Sequence, residues 1–159
     1  MPEVSVFLLI MAIVVSFSLL VPLFWLPGRS RKAFYVSGLY VIDGDTVAKD
    51  DLRIRLAGID APEMDQPGGQ DAKTHLRRLT GRGRVRVKPV ETDRYGRLVA
   101  RLETSKGDVC RKMVSDGYAI AAYGRAYRSD EKAARARRRG LWAKGGISSP
   151  SAHRRKTRK

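Results

Sequence analysis

Val41-Ile-Asp-Gly-Asp-Thr46 is followed, nine residues on, by Arg55-Leu-Ala-Gly-Ile-Asp-Ala-Pro-Glu63. Between them Leu52, Ile54 and Leu56 alternate with Arg53 and Arg55, the period-two pattern of a half-buried strand, and Asp50-Asp51 supplies a tight turn back to the strand that holds Val47. In an antiparallel hairpin, residues just before one strand and just after the other meet at the same end of the sheet. Asp45 is therefore expected near Asp60, with Arg53 and Arg55 on the face away from the leucines. Taken singly, Asp43-Gly44-Asp45 and Asp60-Ala61-Pro62-Glu63 are ordinary turns. Jointly they gather Asp43, Asp45, Asp60 and Glu63 in a chain of net charge +16. Carboxylates so placed repel one another unless a cation or a proton stands between them.

The rest of the composition narrows which cation that is. Cys110 is the only cysteine, and the two histidines, His75 and His153, are far apart, so neither a disulfide nor a Cys/His zinc cage is available. A hard, oxygen-bound divalent ion fits the acids, and calcium accepts mixed shells of carboxylate, carbonyl and water more readily than magnesium. Thirty-two Lys and Arg against sixteen Asp and Glu, with a pI of about 10.7, favour an anionic partner such as nucleic acid. An ion held there would polarise a phosphoryl oxygen. Glu63 is then placed to activate a water, and Arg55 and Arg97 are the candidate cations for a phosphate, whose two oxygens suit a guanidinium fork.

Going outward, Val4 to Leu26 is 23 residues without a charge, enough as a helix to cross a bilayer core of about 30 Å. No Lys or Arg precedes it and no small-residue cleavage site follows, so an uncleaved transmembrane anchor is expected, with residues 1–33 forming the anchor and a basic linker. Arg29, Arg31 and Lys32 would hold the following domain in the cytoplasm by the positive-inside rule. The hazard of a nucleic-acid-cutting domain to its own cell favours the outer or periplasmic face instead.

From residue 34 to 144 short strands alternate with amphipathic helices. Val36, Val41, Ile42 and Val47 belong to one strand or a bent pair of strands. Ala72, His75, Leu76 and Leu79 mark a helix ended near Gly81. Val85, Val87 and Val90 alternate with basic residues, and Leu98, Ala100 and Leu102 follow the turn Asp93-Arg94-Tyr95-Gly96-Arg97. Val109, Met113 and Val114 suggest a second helix, and Ser129 is a possible cap for a third over residues 130–139. A mainly β fold with α insertions follows, an OB-fold-like five-stranded barrel with about three helices, preceded by one transmembrane helix. Residues 145–159, rich in Gly, Ser, Arg and Lys, have nothing to bury and are expected to be a disordered basic tail.

Asp43-Gly44-Asp45-Thr46, Arg55-Leu56, Gly58-Ile59-Asp60-Ala61-Pro62-Glu63, Asp93-Arg94-Tyr95-Gly96-Arg97 and Gly140-Leu141-Trp142 together resemble the thermonuclease, or staphylococcal-nuclease-like, family over roughly residues 36–143. That resemblance implies an OB-fold barrel and calcium-dependent hydrolysis of phosphodiester bonds in DNA, RNA or both. It further implies that Asp45 and Asp60 hold Ca2+ with the backbone carbonyl of Ala61, supported by Asp43, that Arg55 and Arg97 grip the phosphate, and that Glu63 is the general base or orients the water. Tyr95 and Tyr123 look like the family's pocket-wall tyrosines. The founding member has threonine where Ala61 stands, which a carbonyl ligand does not require. His75 and Cys110 are expected to be structural. No protein partner is inferred, and the catalytic domain is expected to be a monomer. The competing function is a non-enzymatic OB-fold module tethering nucleic acid to the membrane, but such a binder has no reason to set three acids beside a phosphate.

Overall fold

The computed structural model describes residues 32–81 and 83–157. The expected transmembrane segment, residues 4–26, lies outside them; among the described residues no helix is long and apolar enough to cross a membrane.

The hairpin forms as its alternation requires. Strand β3 (Thr46–Lys49) pairs antiparallel with β4 (Leu52–Leu56), Thr46 opposite Arg55 and Lys49 opposite Leu52, around Asp50-Asp51. Asp50 takes a left-handed conformation (φ 50°), which a short Asp tolerates in a two-residue turn. Preceding it, β1 (Phe34–Ser37) and β2 (Tyr40–Val41) are two halves of one bent strand. The first half pairs with β6 (Arg84–Thr92), the second with β3. With β7 spanning Leu98–Thr104, the sheet runs β1-β6-β7-β4-β3-β2, so its two outer strands are consecutive in the chain and the sheet curls on itself, consistent with an OB-like fold. Counting β1 and β2 as one strand, with β3, β4, β6 and β7, accounts for the five strands expected.

Strand β5 (Ile59–Asp60) leaves this sheet and pairs with β9 (Ile120–Ala121), while β8 (Gly107–Asp108) extends β7. Helix α1 (Gly69–Thr80) lies between β5 and β6 and α2 (Val109–Ser115) between β8 and β9, while α3 (Arg128–Ala136) and a 3-10 turn over Gly140–Lys144 follow the last strand. Ile54 and Leu56 of the hairpin, Ile59 of β5, Leu76 of α1, Leu102 of β7 and Met113 of α2 are fully buried in one core. Each such side chain contributes about 1.5–3 kcal/mol of apolar burial.

Three expectations change. Val90 is 59 % exposed, because the register of β6 against β7 shifts between Pro89 and Glu91 and breaks the alternation that buries Val85 and Val87. Ser129 does not cap α3; that helix starts at Arg128 behind Tyr127, whose backbone is left-handed (φ 64°) and whose hydroxyl donates to Asp108 Oδ2 at 3.0 Å. Residues 150–157 of the tail form a fourth helix, α4 (Pro150–Thr157). Polar contacts with the body, absent from any count of apolar residues, hold it there.

Candidate active site

The loop between β2 and β3 is shaped by its own side chains. Asp43 Oδ1 accepts the Asp45 N–H at 3.0 Å, and the Thr46 hydroxyl donates to Asp45 Oδ1 at 3.0 Å. Gly44 lies against the start of the next two motifs: a Cβ there would stand 2.6 Å from the Ala61 Cβ and 2.8 Å from that of Ala72. Glycine is what allows the acidic loop to sit flush on α1.

Asp45 and Asp60 come together as the hairpin geometry predicts, and both are buried. Arg55 joins them, Nη1 donating to Asp45 Oδ1 and Nη2 to Asp60 Oδ1, each at 2.7 Å. Ala61 presents its N–H to Asp45 Oδ2 at 3.2 Å. Burial pushes the Asp45 carboxyl up to about 7; Arg55 pulls it back, while Asp43 and Asp60 add to the rise. Arg55 itself is held above its ordinary value, since Asp45 and then Asp60 outweigh the burial that opposes its charge. Two buried carboxylates with oxygen donors only are a fit for a hard divalent ion, the remaining ligands being backbone oxygen and water. Among the described residues no three His, Cys, Asp or Glu side chains group into a metal cage, so a side-chain cage alone would not suffice.

Glu63 stands at the rim. Its N–H donates to Gln66 Oε1 at 2.9 Å, and its carbonyl accepts from the Gln66 N–H at 2.9 Å, so buried Gln66 clamps the backbone on both sides. The Glu63 carbonyl also abuts Gly69, where a Cβ would come within 2.1 Å. Helix α1 can begin there only with glycine.

Arg97 reaches the same groove through the parallel pairing of β4 with β7, in which Ile54 lies opposite Leu98 and Arg55 opposite Val99. Its guanidinium does not point freely at a phosphate: Nε donates to Asp93 Oδ2 at 2.8 Å and Nη2 lies 2.7 Å from the same oxygen. Tyr95 is exposed, between the guanidinium groups of Arg94 and Arg97, 4.9 and 5.5 Å from its ring centre. Tyr123 is exposed with φ 53°, its ring 5.8 Å from Arg55. A groove of about 440 Å³ is lined by Asp45, Arg55, Ala61, Glu63, Tyr95, Arg97 and Tyr123, which brings together every predicted site residue except Asp60, and Asp60 is bonded to its wall through Arg55.

Residues 53–144 match the family described as staphylococcal nuclease homologue. The chain belongs to that family. Among relatives of this staphylococcal nuclease homologue, the micrococcal nuclease of Shigella flexneri is 36 % identical over 129 residues, covering 69 % of this chain and 74 % of its own. A probable endonuclease LCL3 of Candida glabrata is 34 % identical over 126 residues, 66 % of this chain and 49 % of its own. A probable staphylococcal-like nuclease CAN2 of Oryza sativa subsp. japonica is 34 % identical over 110 residues, 67 % and 30 % respectively. The chain thus spans about half of the yeast relative and less than a third of the rice one.

Four contributors to the groove of this homologue escape sequence patterning. Arg53 and Arg94 line it, and Asp93 holds Arg97. The alternation that places Arg53 beside Arg55 was the available signal for the first. Arg154, from α4, also lines it, donating to both oxygens of Asp60 at 3.0 Å and to Glu63. A run of basic residues gives no sign that one of them enters a site 91 positions away.

His75 and Cys110 are structural, as expected. His75 Nε2 lies 3.0 Å from Asp116 Oδ2, and the ring stacks on Tyr118 at 4.2 Å. Burial pushes the Cys110 thiol up to about 12.

Proposed function

We propose that residues 34–144 form a calcium-dependent nuclease that hydrolyses phosphodiester bonds of DNA, RNA or both, tethered to a membrane by residues 4–26. The observation that carries it is Arg55 spanning two buried carboxylates beside Glu63 and Arg97 in one groove. Asp45 and Asp60, with the Ala61 carbonyl, would hold calcium, which when bound supplies positive charge against the phosphate. Glu63, clamped at its backbone and with its side chain 31 % exposed, is placed to take a proton from a water attacking phosphorus. Arg55 and Arg97 supply guanidinium groups for the oxygens on which charge accumulates, pre-aimed by Asp45, Asp60 and Asp93. Tyr95 and Tyr123, exposed at the wall, offer faces for a base. The names of the relatives, endonuclease and nuclease, support the same chemistry.

The tether rests on the uncharged run Val4 to Leu26. We place the catalytic domain on the outer or periplasmic face, where it spares the cell's own nucleic acid, against the pull of Arg29, Arg31 and Lys32. Protease protection in intact cells or spheroplasts decides it: a domain that resists added protease in spheroplasts until their membrane is opened would reverse that assignment.

The activity is tested by incubating the whole chain with DNA and with RNA, in calcium and in chelator. Calcium-dependent cutting is expected, and Glu63→Gln should lower the rate by about 10²–10⁴ with the fold intact. Binding without cutting in calcium would make the domain a binding module instead.

A further inference from the structure

The chain's own C-terminal helix enters the groove. Arg154 of α4 donates through Nη2 to Asp60 Oδ1 and Oδ2, each at 3.0 Å, and through Nη1 to Glu63 Oε1; Nη2 also lies 3.4 Å from the Tyr123 hydroxyl. One guanidinium thereby covers both the acid assigned above to the ion and the acid assigned to the water. Burial works against the Arg154 charge, yet Glu63 and Asp60 hold its pKa above the ordinary arginine value. Two further contacts bring the segment in: the Gln66 side-chain amide donates to Ser148 Oγ at 3.1 Å, and His153 Nε2 lies 2.8 Å from Asp65 Oδ2. All three anchor points fall on the single stretch from Asp60 to Gln66 that carries the catalytic acids.

The same helix is built to let go. It has eight residues, too short to be stable alone. Of residues 150–156 only Pro150, at the first position, is buried, and ionic contacts tie the helix down. Such contacts, partly open to water, are individually weak and weaken further with salt. A divalent ion competes for the same oxygens of Asp60, and the phosphate backbone of nucleic acid competes for the same cation.

We propose that α4 is an autoinhibitory plug, with Arg154 occupying the acidic end of the groove until calcium and substrate displace it. This rests on the assignment of calcium to Asp45 and Asp60. The apparent dissociation constant of a ligand rises by the inverse of the fraction of molecules competent to bind it. If the plug is seated in about nine of ten molecules, it weakens calcium binding about tenfold.

The test is calorimetric titration of the whole chain with calcium alone, comparing the parent with Arg154→Gln and with Arg155→Gln. Arg155 is exposed, so its replacement removes the same charge without touching the site. Calcium is expected to bind Arg154→Gln about tenfold more tightly than the parent, with Arg155→Gln matching the parent. Trypsin should cut after Arg155 and Lys156 faster in the parent when calcium is added, and fast in Arg154→Gln with or without it. Equal calcium affinity in the parent and Arg154→Gln overturns the plug while leaving the metal assignment standing. Absence of calcium binding in all three overturns the metal assignment and the plug with it. A raised KM for DNA in Arg154→Gln at saturating calcium would also overturn it, since Arg154 would then be a ligand of the substrate.

Discussion

Arg97 is fastened to Asp93, four residues before it: Nε donates to Oδ2 at 2.8 Å and Nη2 pairs with the same oxygen at 2.7 Å. The other oxygen of Asp93 accepts the backbone N–H groups of Tyr95 and Arg97, at 2.9 and 3.0 Å. Burial opposes the Asp93 charge, but these N–H groups and the Arg97 guanidinium overcome it and hold the carboxyl below its ordinary range. One carboxylate therefore builds the turn and aims the arginine. Asp93→Asn keeps an acceptor for the turn and removes the charge that holds the guanidinium. We expect kcat/KM to fall about tenfold with little change in melting temperature, against a loss of about 10²–10³ for Arg97→Ala. Steady-state kinetics on DNA checks both; an Asp93→Asn enzyme as fast as the parent would remove Asp93 from the positioning role.

Gly44→Ala should be destabilising although Gly44 is a loop residue. Its new methyl would overlap Ala61 and Ala72, which belong to the chain leading to Glu63 and to α1. Neither neighbour is the flexible end of a long side chain, so backbone must move. Overpacking of this kind costs about 1–3 kcal/mol. Urea unfolding measures the loss, and calcium affinity should fall with it because Asp43 and Asp45 flank the position. An unchanged unfolding midpoint would mean the loop is free to shift.

The hairpin was legible because two signals agreed there. Alternation fixed which face Arg55 occupies, and antiparallel pairing fixed that Asp45 meets Asp60, so the acids and the bridging arginine could be placed together from residues alone. Val90 was not legible, because a register shift costs one residue in β6 and leaves no mark in the composition. The helix in the tail is illegible in the sequence for a related reason. Patterning detects what a segment can bury, and α4 is held by ion pairs to residues 88 to 94 positions earlier, whose geometry exists only once the barrel has formed. Asp93 is legible as part of a turn, but nothing in the sequence marks its second oxygen as the one that holds Arg97.

Arg55 has a structural duty that its replacement should expose. Its side chain is 13 % exposed and balances two carboxylates that are 5 % and 3 % exposed. Arg55→Met leaves Asp45 without its ion pair, while Asp60 keeps the contact with Arg154. Removing one partner of a buried pair costs about 3–5 kcal/mol. Calcium should return part of that, so the thermal stabilisation on adding calcium is expected to be larger in the variant than in the parent. Scanning calorimetry with and without calcium reads it, and equal stabilisation in the two proteins would show that Arg55 and the ion do not answer the same charge.

His75 gives the fold a pH dependence away from the acids. Burial holds its pKa below the ordinary 6.5, with Asp116 pulling the other way and the nearby Arg78 and Lys112 adding to the depression. As pH falls below about 6.5 the unfolded chain takes up the proton first, so the unfolded state binds more protons and stability declines. The contribution of neutral His75 is thus present above about 6.5 and lost as pH falls through its folded value, with a slope of at most about 1.4 kcal/mol per pH unit. Urea unfolding between about pH 7.5 and 5 should lose stability toward acid more steeply in the parent than in His75→Gln, and the difference isolates His75 from Asp45, whose raised pKa acts with the opposite sign over the same range. Proton NMR separates His75 from His153, and a His75 midpoint at or above 6.5 would reverse the sign, making the pair with Asp116 stabilising in acid.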